Sequence, residues 1–385
     1  MNYLLNFVHD FSLKCPFFPE KSLETLKDYK YQAIDNSIVG KYFYQDFIIS
    51  PVMNHLVPKW IAPNVITTSG GIFIVLALFT VYLSNVFGSF THLIIGLLFY
   101  MYVLFDTLDG KQARKTGSGS PLGELMDHGV DVLVMGTLAI ILCHEFMLDQ
   151  FQTAYIYFIG FTIFYLPHWV QHQTGWMIFG PASNPIEMVH LYLVIEIIRT
   201  INGWTPEIVN KATIFGILPM PMFLMIFATI ILGCTIVSSI IDVRNEIKKN
   251  QKGWKKPLLE LSSFIATSLV ALSINYIHID NFICDQLRLV GSVCFVGMFV
   301  QWYIVTRLLH LPSPPLYINF YGTIIISFII NISYFMGRTN IVNIFAVIYF
   351  GHSFFWESAL VINVIYYFSK YLHIHPFKIT PKQQD

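Results

Sequence analysis

The chain has 385 residues, 55% of them hydrophobic and only 12% charged, with a mean hydropathy of +0.59. A soluble globular chain carries about 25% charged residues, so a water-soluble fold is excluded and an integral membrane protein is expected. The formal net charge of zero offers nothing to a polyanion, and nucleic acid is not an expected partner.

Residues 1–62 mix apolar and polar positions. Asn6, His9 and Asp10 interrupt the first apolar residues and no basic segment precedes them, so a cleavable signal is not expected. Ile38, Phe43, Phe47 and Ile48 alternate with Lys41, Gln45 and Asp46, which predicts one or two amphipathic helices lying in the membrane interface. Lys59 and Trp60 are the residue types that anchor such a boundary.

Ten apolar stretches follow, at roughly 65–87, 91–108, 123–147, 152–170, 187–201, 213–241, 258–278, 288–308, 316–336 and 341–370. Several reach the ~20 residues needed to cross a bilayer as a helix. The expected fold class is therefore an all-α integral membrane protein of about ten transmembrane helices. Residues 1–62 form its interfacial N-terminal part, 63–241 a first group of helices, 242–257 a basic loop, and 258–385 four further helices with a tail. The last four helices are expected to supply packing or a homodimer contact.

Basic residues orient this topology. With the N-terminus cytoplasmic, only Arg199, Lys211, Arg288 and Arg338 of the 23 Lys and Arg fall on the far side, in keeping with the positive-inside rule. Both termini are then cytoplasmic. Nine crossings instead of ten would move the C-terminal tail across. The five cysteines, Cys15, Cys143, Cys234, Cys284 and Cys294, are scattered without a C-x-x-C. They read as small buried hydrophobes, with no disulfide framework and no zinc site.

The stretch from Asp106 to Asp131 stands out against this background: D-T-L-D-G-K-Q-A-R-K-T-G-S-G-S-P-L-G-E-L-M-D-H-G-V-D. Asp106 and Asp109 are three apart, and Asp127 and Asp131 four apart, so each pair shares a helix face. Four carboxylates this close repel one another unless cations lie between them. Oxygen-only ligands favour magnesium or manganese over zinc. Gly110, Ala113 and Gly123 leave room for a bulky group beside the backbone, and Lys111, Arg114 and Lys115 add positive charge. Carboxylates, divalent ions and basic residues together describe a phosphate-handling site, in which two metals can clamp both oxygens of an in-line displacement. His128, next to Asp127, is the candidate base, since imidazole titrates near neutral pH. Arg114 is suited to bind a phosphate through its guanidinium fork. Ser120 and Pro121 are a helix N-cap and first helical position. The second helix is expected to end at Asp109, facing the start of the third across a loop of about a dozen residues.

The spacing D-x2-D-G-x2-A-R-x8-G-x3-D-x3-D, filled by Asp106, Asp109, Gly110, Ala113, Arg114, Gly123, Asp127 and Asp131, resembles the signature of the CDP-alcohol phosphotransferase family. The form S-P-L-G-E-L-M-D-H-G around His128 is similar to the eukaryotic choline/ethanolamine phosphotransferase branch. So are Y-K-Y-Q-A-I-D-N-S from Tyr29, P-N-V-I-T from Pro63, H-W from His168 and L-H-I-H-P-F from Leu372.

This resemblance implies transfer of phosphocholine or phosphoethanolamine from CDP-choline or CDP-ethanolamine to diacylglycerol taken from the bilayer. The products are a phospholipid and CMP. It implies two Mg2+ or Mn2+ ions, one on Asp106, Asp109 and Asp127 and the other held by Asp106, Asp127 and Asp131. It further implies a nucleotide-side role for Asn64, a role for Glu187 in orienting or relaying from His128, and an endoplasmic reticulum or Golgi membrane with the site facing the cytoplasm. Glu124 is a candidate to face the cationic head group, and His168 and Trp169 are motif-like. A family member using CDP-diacylglycerol as donor would share the four aspartates, but the D-H-G form and ten spans argue against it. A cation-coupled transporter is the alternative of another class. Its carboxylates would lie near the bilayer midplane, with no need for the Gly-Ala-Arg set.

Overall fold

The computed structural model describes residues 17–180, 184–214, 216–312 and 318–379; Lys14, Cys15 and Lys382 lie outside them. Ten long helices coincide with the ten apolar stretches. They are α1 (Pro63–Tyr82), α2 (Phe90–Thr116), α3 (Pro121–Glu145), α4 (Gln150–Thr174), α5 (Pro185–Ile201), α6 (Met220–Asn250), α7 (Lys255–Asn275), α8 (Phe282–Leu308), α9 (Ile318–Phe335) and α10 (Thr339–Leu372). The protein is an all-α integral membrane protein. Among the described residues, seven of these helices are long and apolar enough to cross a membrane: α1, α2, α3, α6, α7, α8 and α10. The expected ten crossings are thus not established as a count.

Two of the remaining three depart from expectation for visible reasons. The last turns of α4 carry His168, Gln171, His172 and Gln173, whose side chains are spent inside the protein. Gln171 donates to Glu124 at 3.0 Å, His172 meets the Tyr303 hydroxyl at 3.0 Å, and Gln173 donates to Glu260 at 2.5 Å. In α5 the 17 residues include Glu196 and Arg199, both buried.

The helices pack around α8, of which 94% of the most apolar window is buried, against 11% for α6. α8 contacts α3 and α10, α1 packs on α2 and α3, α5 lies against α2, and α6 against α4. Trp169, one of the motif-like pair, is not interfacial. It is buried in this core and donates its indole N–H to Pro257 O at 3.0 Å.

Ahead of α1 a 3-10 helix spans Glu20–Asp28, and a helix with π-type turns, Gly40–Ile49, runs on into Ser50–His55. Tyr42, Phe43 and Phe47 are exposed on the latter and Trp60 is 78% exposed, the pattern of a segment facing lipid head groups. Between these helices β1 (Ala33–Asp35) pairs in parallel with β2 (Met177–Phe179). That pairing pins the segment from Tyr29 to Ser37 beside the end of α4. Cys143, Cys234, Cys284 and Cys294 are free.

Candidate active site

The site begins with where α2 stops. The helix does not end at Asp109 but continues to Thr116, so the expected loop of a dozen residues shrinks to Gly117–Ser120. Two side chains hold the extra turns. Gln112 donates to Pro58 O at 2.9 Å and Ile61 O at 2.7 Å, and Lys115 donates to Met53 O at 2.7 Å. Gly117 closes the helix in the left-handed region, φ 65°, where a residue without Cβ is unstrained. Asp106, Asp109, Gly110, Ala113 and Arg114 therefore lie on one continuous helix at spacings that share a face. α3 starts as expected: Ser120 accepts from Gly123 N at 3.0 Å and Pro121 occupies the first helical position.

The four carboxylates meet where these two helices face each other. Asp106 is within hydrogen-bonding reach of Asp127 and Asp131, and Asp109 interacts electrostatically with Asp127 and Asp131. Asp109 is buried and accepts a short hydrogen bond from the Thr67 hydroxyl of α1. Asp131 accepts from the Tyr102 hydroxyl at 2.5 Å and lies 3.3 Å from His128 Nδ1. Asp127 Oδ1 is buried with no partner. Among the described residues none of the four forms an ion pair with a lysine or arginine; the ring nitrogen within that distance is His128 Nδ1. Asp127, His128 and Asp131 bring one ligand atom each within 4.8 Å of one another. Clustered carboxylates, Asp109 buried and the others half-buried, with Asp127 Oδ1 orphaned, are the donor set of a hard divalent cation. The residues present fit such an ion.

His128 is 5% exposed. A hydrogen on Nδ1, directed at Asp131 Oδ2, leaves Nε2, which has no partner, as an acceptor. The ring packs edge-on to His168 at 4.9 Å and against Tyr31 at 6.2 Å. Tyr31 stands over the carboxylates from the N-terminal segment. Burial first, and then the charges of Asp127, Glu124, Asp106 and Asp131, hold its phenol above the ordinary range, so it remains an O–H donor.

Beside the carboxylates opens a cleft of about 590 Å³. Asn64, Asp109, Gly110, Ala113, Arg114, Gly123, Glu124 and Asp127 all line it, so the structure gathers most of the sequence-derived candidates into one wall. A Cβ added at Gly110 would meet only the Arg114 guanidinium, at 3.6 Å. That position faces the cleft rather than a packed neighbour. The sequence did not point to the rest of the lining: Tyr29–Gln32 from the N-terminal segment and Ile374, His375, Pro376 and Lys378 beyond α10. The matches from Tyr29 and from Leu372 were the available signals, but neither says what its segment touches. Thr67 and Tyr102, polar residues among apolar neighbours, gave no signal beyond that.

Two candidates sit differently from expectation. Glu124 is not left to meet a cation alone: Arg307 of α8 forms a short salt bridge with it and Gln171 donates to the same oxygen at 3.0 Å. Its second oxygen, Oε2, is buried without a partner. Glu187 is not brought to His128. Its Oε1 accepts from Ile38 N at 2.5 Å, Ser37 Oγ at 3.0 Å and Val39 N at 3.2 Å, so it caps the start of the interfacial helix. Capping oxygens satisfy backbone N–H groups that a helix start leaves open.

A second buried cluster lies toward the other ends of the same helices. His92 Nδ1 of α2 meets Glu145 at 3.0 Å and Glu196 at 3.3 Å. Arg199 bridges Glu196 at 2.8 Å and Glu145 at 3.4 Å, and Tyr192 donates to Glu145 at 2.6 Å. His92, Glu145 and Glu196 also bring ligand atoms within 4.8 Å, yet Arg199 already stands among them as the counter-charge. Arg199 and Arg288, assigned from sequence to the side opposite the cytoplasm, are each 2–3% exposed and paired, Arg288 with Asp285 at 2.5 Å.

A helical membrane protein whose cleft is lined by Asp109 and Asp127 from two facing helices and by Arg114 and Lys378 has the groups suited to a phosphate ester and a divalent ion. Residues 60–241, just under half of the chain, match the CDP-alcohol phosphatidyltransferase family, so the chain carries a domain of that kind. It is similar to an uncharacterised CDP-alcohol phosphatidyltransferase class-I family protein 3 of Dictyostelium discoideum, 29% identical over an alignment covering 94% of this chain and 98% of that one. It is also 28% identical to choline/ethanolaminephosphotransferase 1 of Arabidopsis thaliana, across 75% and 78% of the two chains. To choline/ethanolaminephosphotransferase 1 of Saccharomyces cerevisiae it is 34% identical, across 49% of each.

Proposed function

We propose that this chain transfers phosphocholine or phosphoethanolamine from the CDP-alcohol to diacylglycerol, releasing CMP. The observation that carries the reading is the uncompensated carboxylate group beside a cleft that also holds Arg114. Proteins named choline/ethanolaminephosphotransferase among its relatives support the choice of head group.

Asp106, Asp109, Asp127 and Asp131 would hold two Mg2+ or Mn2+ ions, with Asp106 and Asp127 shared between them. When bound, these ions neutralise the diphosphate and the charge that develops on the departing phosphate. Arg114 binds a phosphate oxygen from the cleft wall, and Gly110, Ala113 and Gly123 give the nucleotide a close approach to the backbone. His128 Nε2 takes the proton of the diacylglycerol hydroxyl as its oxygen attacks the phosphorus bearing the head group. The bond from that phosphorus to the bridging oxygen breaks, and CMP leaves. Asp131, oriented by Tyr102, holds the imidazole by Nδ1 and stabilises the imidazolium that forms. Glu124 Oε2 faces the amino-alcohol cation, with Arg307 fixing the carboxylate from its other oxygen. Glu187 acts at a distance, by fixing the interfacial helix.

The reading places the protein in an endoplasmic reticulum or Golgi membrane with both termini and the cleft cytoplasmic. The first helices would carry the chemistry and the last four the packing or a homodimer contact. The test is CMP release by purified protein given diacylglycerol, magnesium or manganese, and each CDP-alcohol in parallel. Phospholipid from CDP-choline or CDP-ethanolamine is expected. Its absence with both, together with product from CDP-diacylglycerol and a free alcohol, would replace this reading with the other donor class.

A further inference from the structure

The C-terminal segment has no part in the reaction as derived above, yet it forms a wall of the cleft. α10 ends at Leu372, and His373 turns the chain through the left-handed region at φ 53°. Ile374 N then donates back to Ser369 O at 3.1 Å. The turn brings Ile374, His375, Pro376 and Lys378 to the cleft that Gly110 and Arg114 also line. Asn64 holds them there: its side-chain amide donates to Pro376 O at 2.8 Å across 312 residues of sequence. Asn64 Oδ1 faces Gly123, 3.6 Å from where a Cβ on that glycine would stand. One asparagine thus joins the start of α1, the first turn of α3 and the C-terminal segment.

We propose that Ile374–Lys378 is a working wall of the nucleotide site, latched by Asn64, and that Lys378 supplies a positive charge to the diphosphate of the substrate. This rests on the CDP-alcohol reading above. The chemistry of the cleft favours it. Asp109 and Asp127 line the cleft, and α2 adds Arg114 while the C-terminal segment adds Lys378. A diphosphate beside those aspartates needs positive charge, and Lys378 is a lysine that the C-terminal segment contributes to the same lining. Lys378 is exposed at the rim, where an ammonium on a flexible stem can follow a phosphate. Asn64 is then a positioning residue that acts on the nucleotide through the segment it holds.

The test combines three changes: Ile374–Lys378 replaced by five Gly and Ser residues, Lys378→Glu with Lys378→Arg as its control, and Asn64→Asp. The last keeps size but removes the donor. CMP and CDP-choline affinities are read by calorimetry, CMP release gives KM and kcat, and melting in detergent checks folding. The replacement and Lys378→Glu should each weaken nucleotide binding and raise KM by about tenfold, as loss of a charge-assisted contact does, with kcat within about threefold. Lys378→Arg should restore KM. Asn64→Asp should weaken binding in the intact chain and have no further effect in the replaced chain. Multiplying effects would mean that Asn64 meets the nucleotide directly, and would overturn the latch. Unchanged CMP affinity in both the replaced chain and Lys378→Glu overturns the wall. The underlying reading fails separately, if the wild-type chain turns over neither CDP-alcohol while CMP binding still responds to these changes.

Discussion

α2 and α3 carry two charge clusters, one buried throughout and one half-buried, and they differ in their counter-charges. His92 and Asp106 are 14 positions apart on α2, about 21 Å along a helix axis. At the His92 end, Glu145 and Glu196 face Arg199 and His92, and Tyr192 bonds Glu145 as well. Arg199 bridges both carboxylates there, although its Nε and His92 Nε2 are without partners. At the Asp106 end, four carboxylates face one another with hydroxyls from Thr67 and Tyr102 and the imidazole of His128, and without a lysine or arginine bridge among the described residues. The first cluster fixes α2, α3 and α5 together. The second stores repulsion that a divalent cation removes. Proximity of acidic and basic ligand atoms is common to both; the arginine separates them.

The largest effects should come from discharging the uncompensated cluster. Asp106→Asn, Asp109→Asn and Asp127→Asn are each expected to abolish CMP release, and a chelator should do the same to the wild-type chain until magnesium or manganese is added back. Calcium should not substitute, because its looser coordination misplaces a phosphate. The melting temperature of these variants should stay level or rise, since each change removes a repelling charge. Unfolding of all three variants would make the carboxylates structural. His128→Ala comes next, with a rate lower by about 10² to 10⁴ and nucleotide affinity preserved. A wild-type rate in that variant would move the base to another group.

Arg199→Met tests the other side of the comparison. Removing the counter-charge strands Glu145 and Glu196 in the interior, a loss of about 3–5 kcal/mol for a broken buried pair, read as a lower melting temperature in detergent. The apparent affinity for magnesium should not change. A metal requirement that shifted with Arg199 would erase the distinction between the two clusters. Gly110→Val should weaken CDP-alcohol binding by crowding the cleft, visible in KM, while melting is unaffected because only the Arg114 side chain lies near. The smallest effect belongs to Glu187→Gln. An amide keeps the accepting oxygen and loses only the charge toward the helix start, a term of about 0.3–1 kcal/mol, so activity should fall a few-fold at most. A loss as large as that of His128→Ala would show that Glu187 takes part in proton transfer.

Local pattern alone determined much of this protein. Low charge and long apolar runs specify membrane helices because a bilayer offers no partner for an open backbone. Asp106 to Asp131 specifies paired carboxylates because helical spacing puts residues three and four apart on one face. Ser120 and Pro121 mark a helix start for reasons contained in two residues. Only the tertiary structure decided where the remaining charges go. Whether Arg199 is a solvated topological charge or the centre of a buried network depends on α5 lying against α2 and α3. Whether Glu187 serves His128 or caps Ser37–Val39 depends on where the N-terminal segment is laid. The extension of α2 to Thr116 depends on Pro58, Ile61 and Met53 accepting from Gln112 and Lys115. The lining of the cleft joins residues more than 300 positions apart, Asn64 and Pro376. Such pairings depend on side-chain contacts between elements distant in sequence, and periodicity carries no record of them.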